Sequence, residues 1–373
     1  MRRLDPPRLG IQFPCSRINT GTADTSFPVR IHPRSGAGNR EPFRTAELLF
    51  IRLHPTKRTR MTDGTAPSPI RIAWTHSAAP EEGRAEIEKR LVKILVTMNA
   101  RGHPEPLGSG FLIGRAQATN QHGTKSNYSV ACTAAHVLLD AERAILSRDQ
   151  YAKRYANIFS DPPGTLLRKY VAANRLSMAG QLFPRHPTNA HVGTSISHLA
   201  MNAACDIAIV VAPASPETEY FRINTDPLNG SGVLIAGYSE MTAKVVSSKQ
   251  NIYETTFSHR LELRAGTITE AGRSSSGDRS PLLYCTSVPV PGGVSGGPVF
   301  SLKPTAAVAG SFNVDLDVIG VLSKDLSSQN EAERSDRRIA GRSYVIPIQY
   351  LYMLSMMDAD GKPAMLSSLY IQP

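Results

Sequence analysis

The segment Gly292-Gly293-Val294-Ser295-Gly296-Gly297-Pro298-Val299-Phe300 presents one hydroxyl within a glycine-rich turn and then runs into an apolar strand. A serine hydroxyl is a weak nucleophile at neutral pH, so acyl transfer at Ser295 demands a base for its proton and donors for the oxyanion it creates. Glycines before and after such a nucleophile let main-chain N–H groups converge on one point with no Cβ in the way. Upstream, Val130-Ala131-Cys132-Thr133-Ala134-Ala135-His136-Val137-Leu138 ends an apolar strand in small residues and delivers His136, the candidate base, at the start of a short helical turn. Between them, Cys205-Asp206-Ile207-Ala208-Ile209-Val210-Val211 places one carboxylate directly before a run that reads as a buried strand. A carboxylate there is costly unless paired, and an imidazole N–H is a natural partner. Asp206 would fix the tautomer of His136 and stabilise the imidazolium formed during attack.

These three segments, in this order, resemble the trypsin-like (chymotrypsin-fold) serine peptidases, which carry Thr-Ala-Ala-His, Asp-Ile/Leu-Ala-Leu and Gly-x-Ser-Gly-Gly-Pro segments. The likeness extends to Gly108-Ser109-Gly110-Phe111-Leu112-Ile113-Gly114, to Val318-Ile319-Gly320-Val321-Leu322-Ser323 and to Ser343-Tyr344-Val345-Ile346-Pro347. It covers roughly Leu91 to Met357 and is nearest to bacterial trypsin-like peptidases without an appended PDZ domain. The resemblance implies an all-β fold of two six-stranded antiparallel β-barrels with a closing C-terminal helix. It also implies a protein or peptide substrate, no cofactor, a triad of Ser295, His136 and Asp206, and an oxyanion hole built from the Gly293 and Ser295 amides. Ser323 matches a family serine that hydrogen-bonds the triad aspartate.

One departure is informative. The digestive members place an aspartate just before the nucleophile, where it pairs with a newly cut N-terminus, and here that position is Val294. The loop is therefore expected to be ordered without that ammonium, either from synthesis or by a partner. Six residues before Ser295 stands Pro289, which cannot hold lysine or arginine by charge, so an apolar or small residue is expected before the scissile bond. Ser323-Lys324-Asp325 is expected to pair with the extended substrate backbone, with Lys324 and Asp325 either facing the pocket or forming a solvated strand end. Two other classes stay open: a peptidase fold that captures peptide without cutting it, and a nucleic-acid binder acting through a basic leader.

The supporting elements follow from hydrophobic patterning. Glu82 to Val92 has helical charge spacing, and a strand is expected from Val92 to Met98. Gly108 to Gly114 and Tyr128 to Thr133 make the next strands, and Ala141 to Phe159 has helical composition. Pro213-Ala214-Ser215-Pro216-Glu217 marks the crossing between a first barrel of about residues 91–212 and a second of about 221–347. Strands of the second are expected at 233–238, 261–268, 282–287, 297–301 and 314–322, with the closing helix at 349–357. Ser239 lacks a glycine frame and reads as a turn residue. The remaining histidines, His191 and His259 among them, carry no motif and receive no role.

Composition separates a leader from the rest. With 373 residues and 41% hydrophobic content, the chain can bury one large or two moderate cores. Up to Arg60 there are 12 Lys and Arg against 4 Asp and Glu, so this stretch contributes +8 of the formal +11. Residues 1–80 are dotted with Pro and Gly and read as a disordered leader, a stretch upstream of a true start at Met61, or an organelle transit peptide, ahead of a peptidase domain at 81–373. Clustered arginines there would suit an anionic surface or nucleic acid. No apolar run reaches the ~18 residues of a membrane span, and no signal peptide is evident. The 4 cysteines form no CxxC pair, which points to a reducing, cytoplasmic setting and to buried small hydrophobes. No cluster has the sequence spacing of a zinc or calcium site, and oligomeric state is not legible.

Overall fold

The computed structural model describes residues 27–31, 51–52, 71–75, 81–97, 104–119, 125–155, 168–169, 176–184, 191–225, 232–249, 252–273, 282–304, 311–325, 343–357 and 363–365. Three short strands come first, β1 (Phe27–Ile31), β2 (Ile51–Arg52) and β3 (Arg71–Thr75), followed by helix α1 (Glu81–Glu88). Next stands β4 (Leu91–Val96), whose Leu-Val-Lys-Ile-Leu-Val sequence is buried at all six positions, as a barrel strand covered on both faces requires. The chain continues through β5 (Glu105–Thr119), β6 (Lys125–Thr133), α2 (Ala135–Ile145), α3 (Arg148–Tyr155) and β7 (Arg168–Lys169). It then forms β8 (Leu176–Gly180), β9 (Val192–Ser195), β10 (His198–Asn202) and β11 (Ile207–Pro213). Antiparallel pairing runs β8, β4, β5, β6, β11, β10. β9 pairs back with β8 and leads directly into β10, so this sheet curls into a half-barrel in which the chain, not strand pairing, joins β9 to β10.

A closed circuit follows the short strand β12 (Arg222–Ile223). Its members are β13 (Gly232–Lys249), β14 (Ile252–Arg273), β15 (Leu282–Thr286), β16 (Pro298–Pro304), β17 (Ser311–Asp325) and β18 (Ser343–Pro347). They pair antiparallel in the order β13, β14, β15, β18, β17, β16 and back to β13. The structure thus holds a closed six-stranded barrel and a half-barrel sheet, consistent with the expected all-β two-barrel architecture.

Several boundaries differ from the sequence-based expectation. The closing helix expected over 349–357 is a 3₁₀ helix at Ile348–Met353, followed by β19 (Ser355–Met357), which pairs with β20 (Pro363–Met365). Ile348, Leu351 and Leu354 recur at a spacing of three and are all buried, the period that a 3₁₀ turn stacks on one side. The single helix expected over 141–159 is divided into α2 and α3. Ser147 caps the second of these, since Gln150 N donates to Ser147 Oγ (3.3 Å) and Ser147 N to Gln150 Oε1 (3.1 Å). The stretch read as a structureless leader contributes β1, which pairs with β14 and β9, β2, which pairs with β5, and β3, which pairs with β17. Around β3, Arg71-Ile72-Ala73-Trp74-Thr75 alternates large apolar residues with period two, a strand signal that charge counted over the whole leader conceals.

The barrels are joined through the crossing segment. Phe221 lies edge-on to Phe300 of β16 (centroids 5.1 Å apart) and to Phe111 of β5 (6.3 Å). Its amide donates to Leu112 O at 2.9 Å, while the Arg90 guanidinium sits 5.8 Å over its ring and donates to Tyr220 O at 3.1 Å. One side chain thus contacts a strand of each barrel and sets how the facing strands meet. Truncating Phe221→Ala should cost ~3–5 kcal/mol of unfolding free energy, as for other buried phenylalanines. Urea denaturation checks this, and a loss below about 1 kcal/mol would show that the crossing does not hold the barrels.

Candidate active site

His136 is the second residue of α2. That helix begins at Ala134, which offers no side-chain cap, so its first amides need an acceptor from elsewhere. Asp206 supplies it: the His136 amide donates to Asp206 Oδ1 at 2.8 Å. The same carboxylate faces the His136 ring, with Nδ1 2.9 Å from Oδ2 and 3.1 Å from Oδ1. Strand register explains the meeting, because β11 pairs with β6 so that Ala208 lies opposite Thr133, and continuing that register brings residue 206 level with the start of α2. From the other barrel, the hydroxyl of Ser323 at the end of β17 donates to Asp206 Oδ2. Burial by itself would raise the Asp206 pKa, but hydrogen bonds from His136 and Ser323 and the charge of His136 outweigh it and hold the carboxyl below its ordinary value. Asp206 has φ 51°, in the left-handed region. A non-glycine residue there costs about 1 kcal/mol or more, a strain the surrounding bonds must hold in place.

Ser295 lies in the turn between Val290 and β16, bolted to both barrels. Its carbonyl accepts from Ser109 N of β5 at 2.8 Å, and the next amide, Gly296 N, donates to Leu322 O of β17 at 2.7 Å. Gly293 and Gly296 have φ of 92° and 85°. A Cβ at Gly296 would lie 2.2 Å from both Ser109 O and Thr133 Oγ1 and 3.1 Å from Ala134 N, so this turn rests against the residues that lead into His136. The serine turn thus packs against the end of β6 and the N-terminus of the helix that carries His136. Among the described residues, the Ser295 hydroxyl and His136 Nε2 have no hydrogen-bond partner, and the same holds for the Gly293 and Ser295 amides. Val294 is 1% exposed and packs with Val288, Val290 and Val299. An apolar side chain thus anchors the residue before Ser295.

The remaining site expectations are met unevenly. Pro289 is half-buried, and its carbonyl accepts from the Arg264 guanidinium at 3.1 Å. Ser323 meets Asp206, whereas the Lys324 and Asp325 side chains lie outside the described residues. Ser239, read as a turn residue, is instead a buried position of β13, where its hydroxyl donates to Glu262 Oε1 at 2.9 Å. Cys132, Cys205 and Cys285 are free thiols; burial pushes Cys132 well above its ordinary value and, with the Asp206 charge, Cys205 up to about 11. Thiols held in that protonated form behave as small hydrophobes rather than ligands.

Sequence reasoning missed a buried polar cluster. Glu88 of α1, Lys93 of β4, His191 before β9, Tyr238 of β13 and His259 of β14 meet between the barrels. His259 Nε2 is 3.3 Å and His191 Nε2 3.8 Å from Glu88 Oε1, and Lys93 Nζ is 2.5 Å from His191 Nδ1 and 4.0 Å over the Tyr238 ring. Glu88, His191 and His259 present ligand atoms within 4.8 Å of one another, a trio that sequence spacing did not reveal. The Lys93 amine occupies the His191 Nδ1 side of this trio. Burial drives the Lys93 pKa from 10.5 down to about 7, with Glu88 opposing the fall. A lysine inside the apolar run 91–96 was the one visible signal.

The fold is similar to that of the Rv3671c protease from M. tuberculosis in its active form, at 18% identity over 72% of this chain and 79% of that one, TM-score 0.37. It is also similar to the inactive form of Rv3671c protease, at 15% identity over 77% and 92% of the two chains, TM-score 0.36. No protein-family model and no curated protein matches the chain.

Two pH dependences follow. Lys93 binds its proton more weakly folded than unfolded, so between pH 7 and 10.5 the unfolded chain holds more protons and stability should rise with pH. Denaturant midpoints across that window should climb in the wild type and climb less in Lys93→Met; parallel curves would refute the assignment. Asp206 has the same sign in a lower window, because its folded pKa is also below its unfolded one: its contribution is present above 3.8 and is lost as pH falls toward its lower folded value. The stability gap between wild type and Asp206→Asn should therefore be full at pH 7 and narrow below pH 3.8, and a gap that stays constant would show the carboxylate to be unpaired.

Proposed function

We propose that the chain is a serine endopeptidase that hydrolyses peptide bonds through an acyl-enzyme. The observation that carries this reading is the Asp206 carboxylate, which holds both the amide and the Nδ1 of His136, on a helix whose start packs against the Ser295 turn. In the proposed reaction His136 takes the Ser295 proton as Oγ attacks the substrate carbonyl, then returns it to the leaving amine. Asp206 keeps the proton-accepting tautomer and stabilises the imidazolium, and Ser323 fixes the carboxylate in turn. The unpaired Gly293 and Ser295 amides serve the oxyanion, a role in which one donor typically supplies ~2.7–4 kcal/mol.

Closure of the hydroxyl onto Nε2 is assigned to substrate binding, since catalytic hydrogen bonds tighten in the reacting complex. Pro289 supplies no charge to the side-chain pocket, which supports an apolar or small residue before the scissile bond. Lys324 and Asp325 remain candidates for backbone or pocket contact with the substrate.

The test combines labelling by a serine-directed fluorophosphonate with hydrolysis of a mixed peptide library. Wild type should be labelled once, at Ser295, and should cut preferentially after small or apolar residues. Ser295→Ala should abolish labelling and lower turnover on the order of 10⁶-fold while the thermal midpoint is retained. A wild type that binds peptides but is never labelled would instead make this a capture module, and cleavage dominated by Arg or Lys would overturn the pocket assignment.

A further inference from the structure

Ser109 stands on β5 in the first barrel, completely buried, and reaches the serine turn of the second barrel with both its main chain and its side chain. Its amide donates to the Ser295 carbonyl at 2.8 Å. Its hydroxyl donates to the Gly293 carbonyl at 2.8 Å and accepts from the Tyr238 amide of β13, also at 2.8 Å. One hydroxyl therefore links the glycine preceding Val294 to a barrel strand. The motif reading gave this serine no task beyond its place in Gly108-Ser109-Gly110.

We infer that Ser109 is a positioning residue for the oxyanion hole: its hydroxyl clamps the Gly293 carbonyl and so restrains the backbone rotation at Gly293 that aims its amide at the substrate oxygen. The inference rests on the peptidase reading. A trans peptide points its carbonyl and its N–H in opposite directions. At Ser295 the direction is fixed by the preceding carbonyl, since Val294 O accepts from Gly297 N at 3.0 Å and the Ser295 N–H must point the other way.

Gly293 needs a separate restraint. With φ 92° it occupies a region that glycine leaves readily, and its amide has no acceptor of its own among the described residues. Tying its carbonyl to Ser109 fixes the rotation on one side of Cα. The close Tyr238 carbonyl, 2.8 Å from where a Cβ would sit, limits movement on the other. Without the hydroxyl, the Gly293 carbonyl and the buried Tyr238 amide both lose their partner, and rotation of the Gly293 peptide is the local remedy.

Ser109→Ala and Ser109→Cys separate hydrogen bonding from volume, since a thiol fills the site but bonds weakly. The assay uses p-nitrophenyl acetate for kcat and KM, and phenylboronic acid as a tetrahedral anion for inhibition, alongside thermal midpoints. Both variants should lose about 10²-fold in kcat with KM within about threefold, and boronate inhibition should weaken in proportion to kcat/KM. Wild-type kcat in Ser109→Ala would overturn the inference. So would recovery in Ser109→Cys, which would make packing the cause, or a loss carried by KM with boronate inhibition unchanged. If either variant fails to fold, boronate titration of Ser109→Thr decides: inhibition close to wild type supports the clamp, and inhibition as weak as expected for Ala refutes it. A wild type that neither turns over the ester nor reacts with fluorophosphonate removes the peptidase reading itself, a result distinct from an active wild type matched by active variants.

Discussion

One buried carboxylate organises the centre of this molecule. Asp206 ends a turn in the first barrel, accepts the amide that opens α2, faces the imidazole carried by that helix, and receives a hydroxyl from the second barrel. A charge removed from water is tolerated only where several donors meet it. The left-handed backbone at Asp206 is the local cost of presenting the carboxylate to all of them at once. Moving either barrel by a residue of register would leave the carboxylate short of partners, so this bond set constrains how the two halves dock.

The serine turn obeys a complementary constraint. Its carbonyls at 293, 294, 295 and 297 are all held by donors, whereas the amides at 293 and 295 are not. A loop with satisfied acceptors and free donors is pre-organised for a developing negative charge, and its rigidity comes from contacts on both sides. Val294 anchors it among valines of the second barrel, and Ser109 ties it to the first. Burial of an apolar side chain and a shared hydroxyl thus hold the turn from both sides.

Lys93, Glu88, His191 and His259 form a second polar site whose energetics run the other way. Lys93 lies in a strand with no exposed position, so burial dominates and favours its neutral form near pH 7. Tyr238 belongs to both regions. Its ring lies under Lys93 while its amide and carbonyl border the serine turn, which puts the polar cluster one residue away from that turn.

The motifs around Ser295, His136 and Asp206 were legible because each is a short run in which residue type, flanking strand and glycine placement agree locally. The two-barrel class followed from the resemblance that their order carries. Local pattern failed where a contact partner decided the outcome: the 3₁₀ period at Ile348, Leu351 and Leu354, and the break at Ser147. It also failed for Ser109, Glu88, His191 and His259, whose neighbours are separated from them by up to 184 positions, as for Ser109 and Gly293. Sequence by itself determined which groups can attack, accept and orient, because those capacities reside in side-chain chemistry and immediate backbone. Tertiary structure alone decided which carbonyls are held, which amides stay free and which charges are buried together, because these depend on the pairing register of strands remote along the chain.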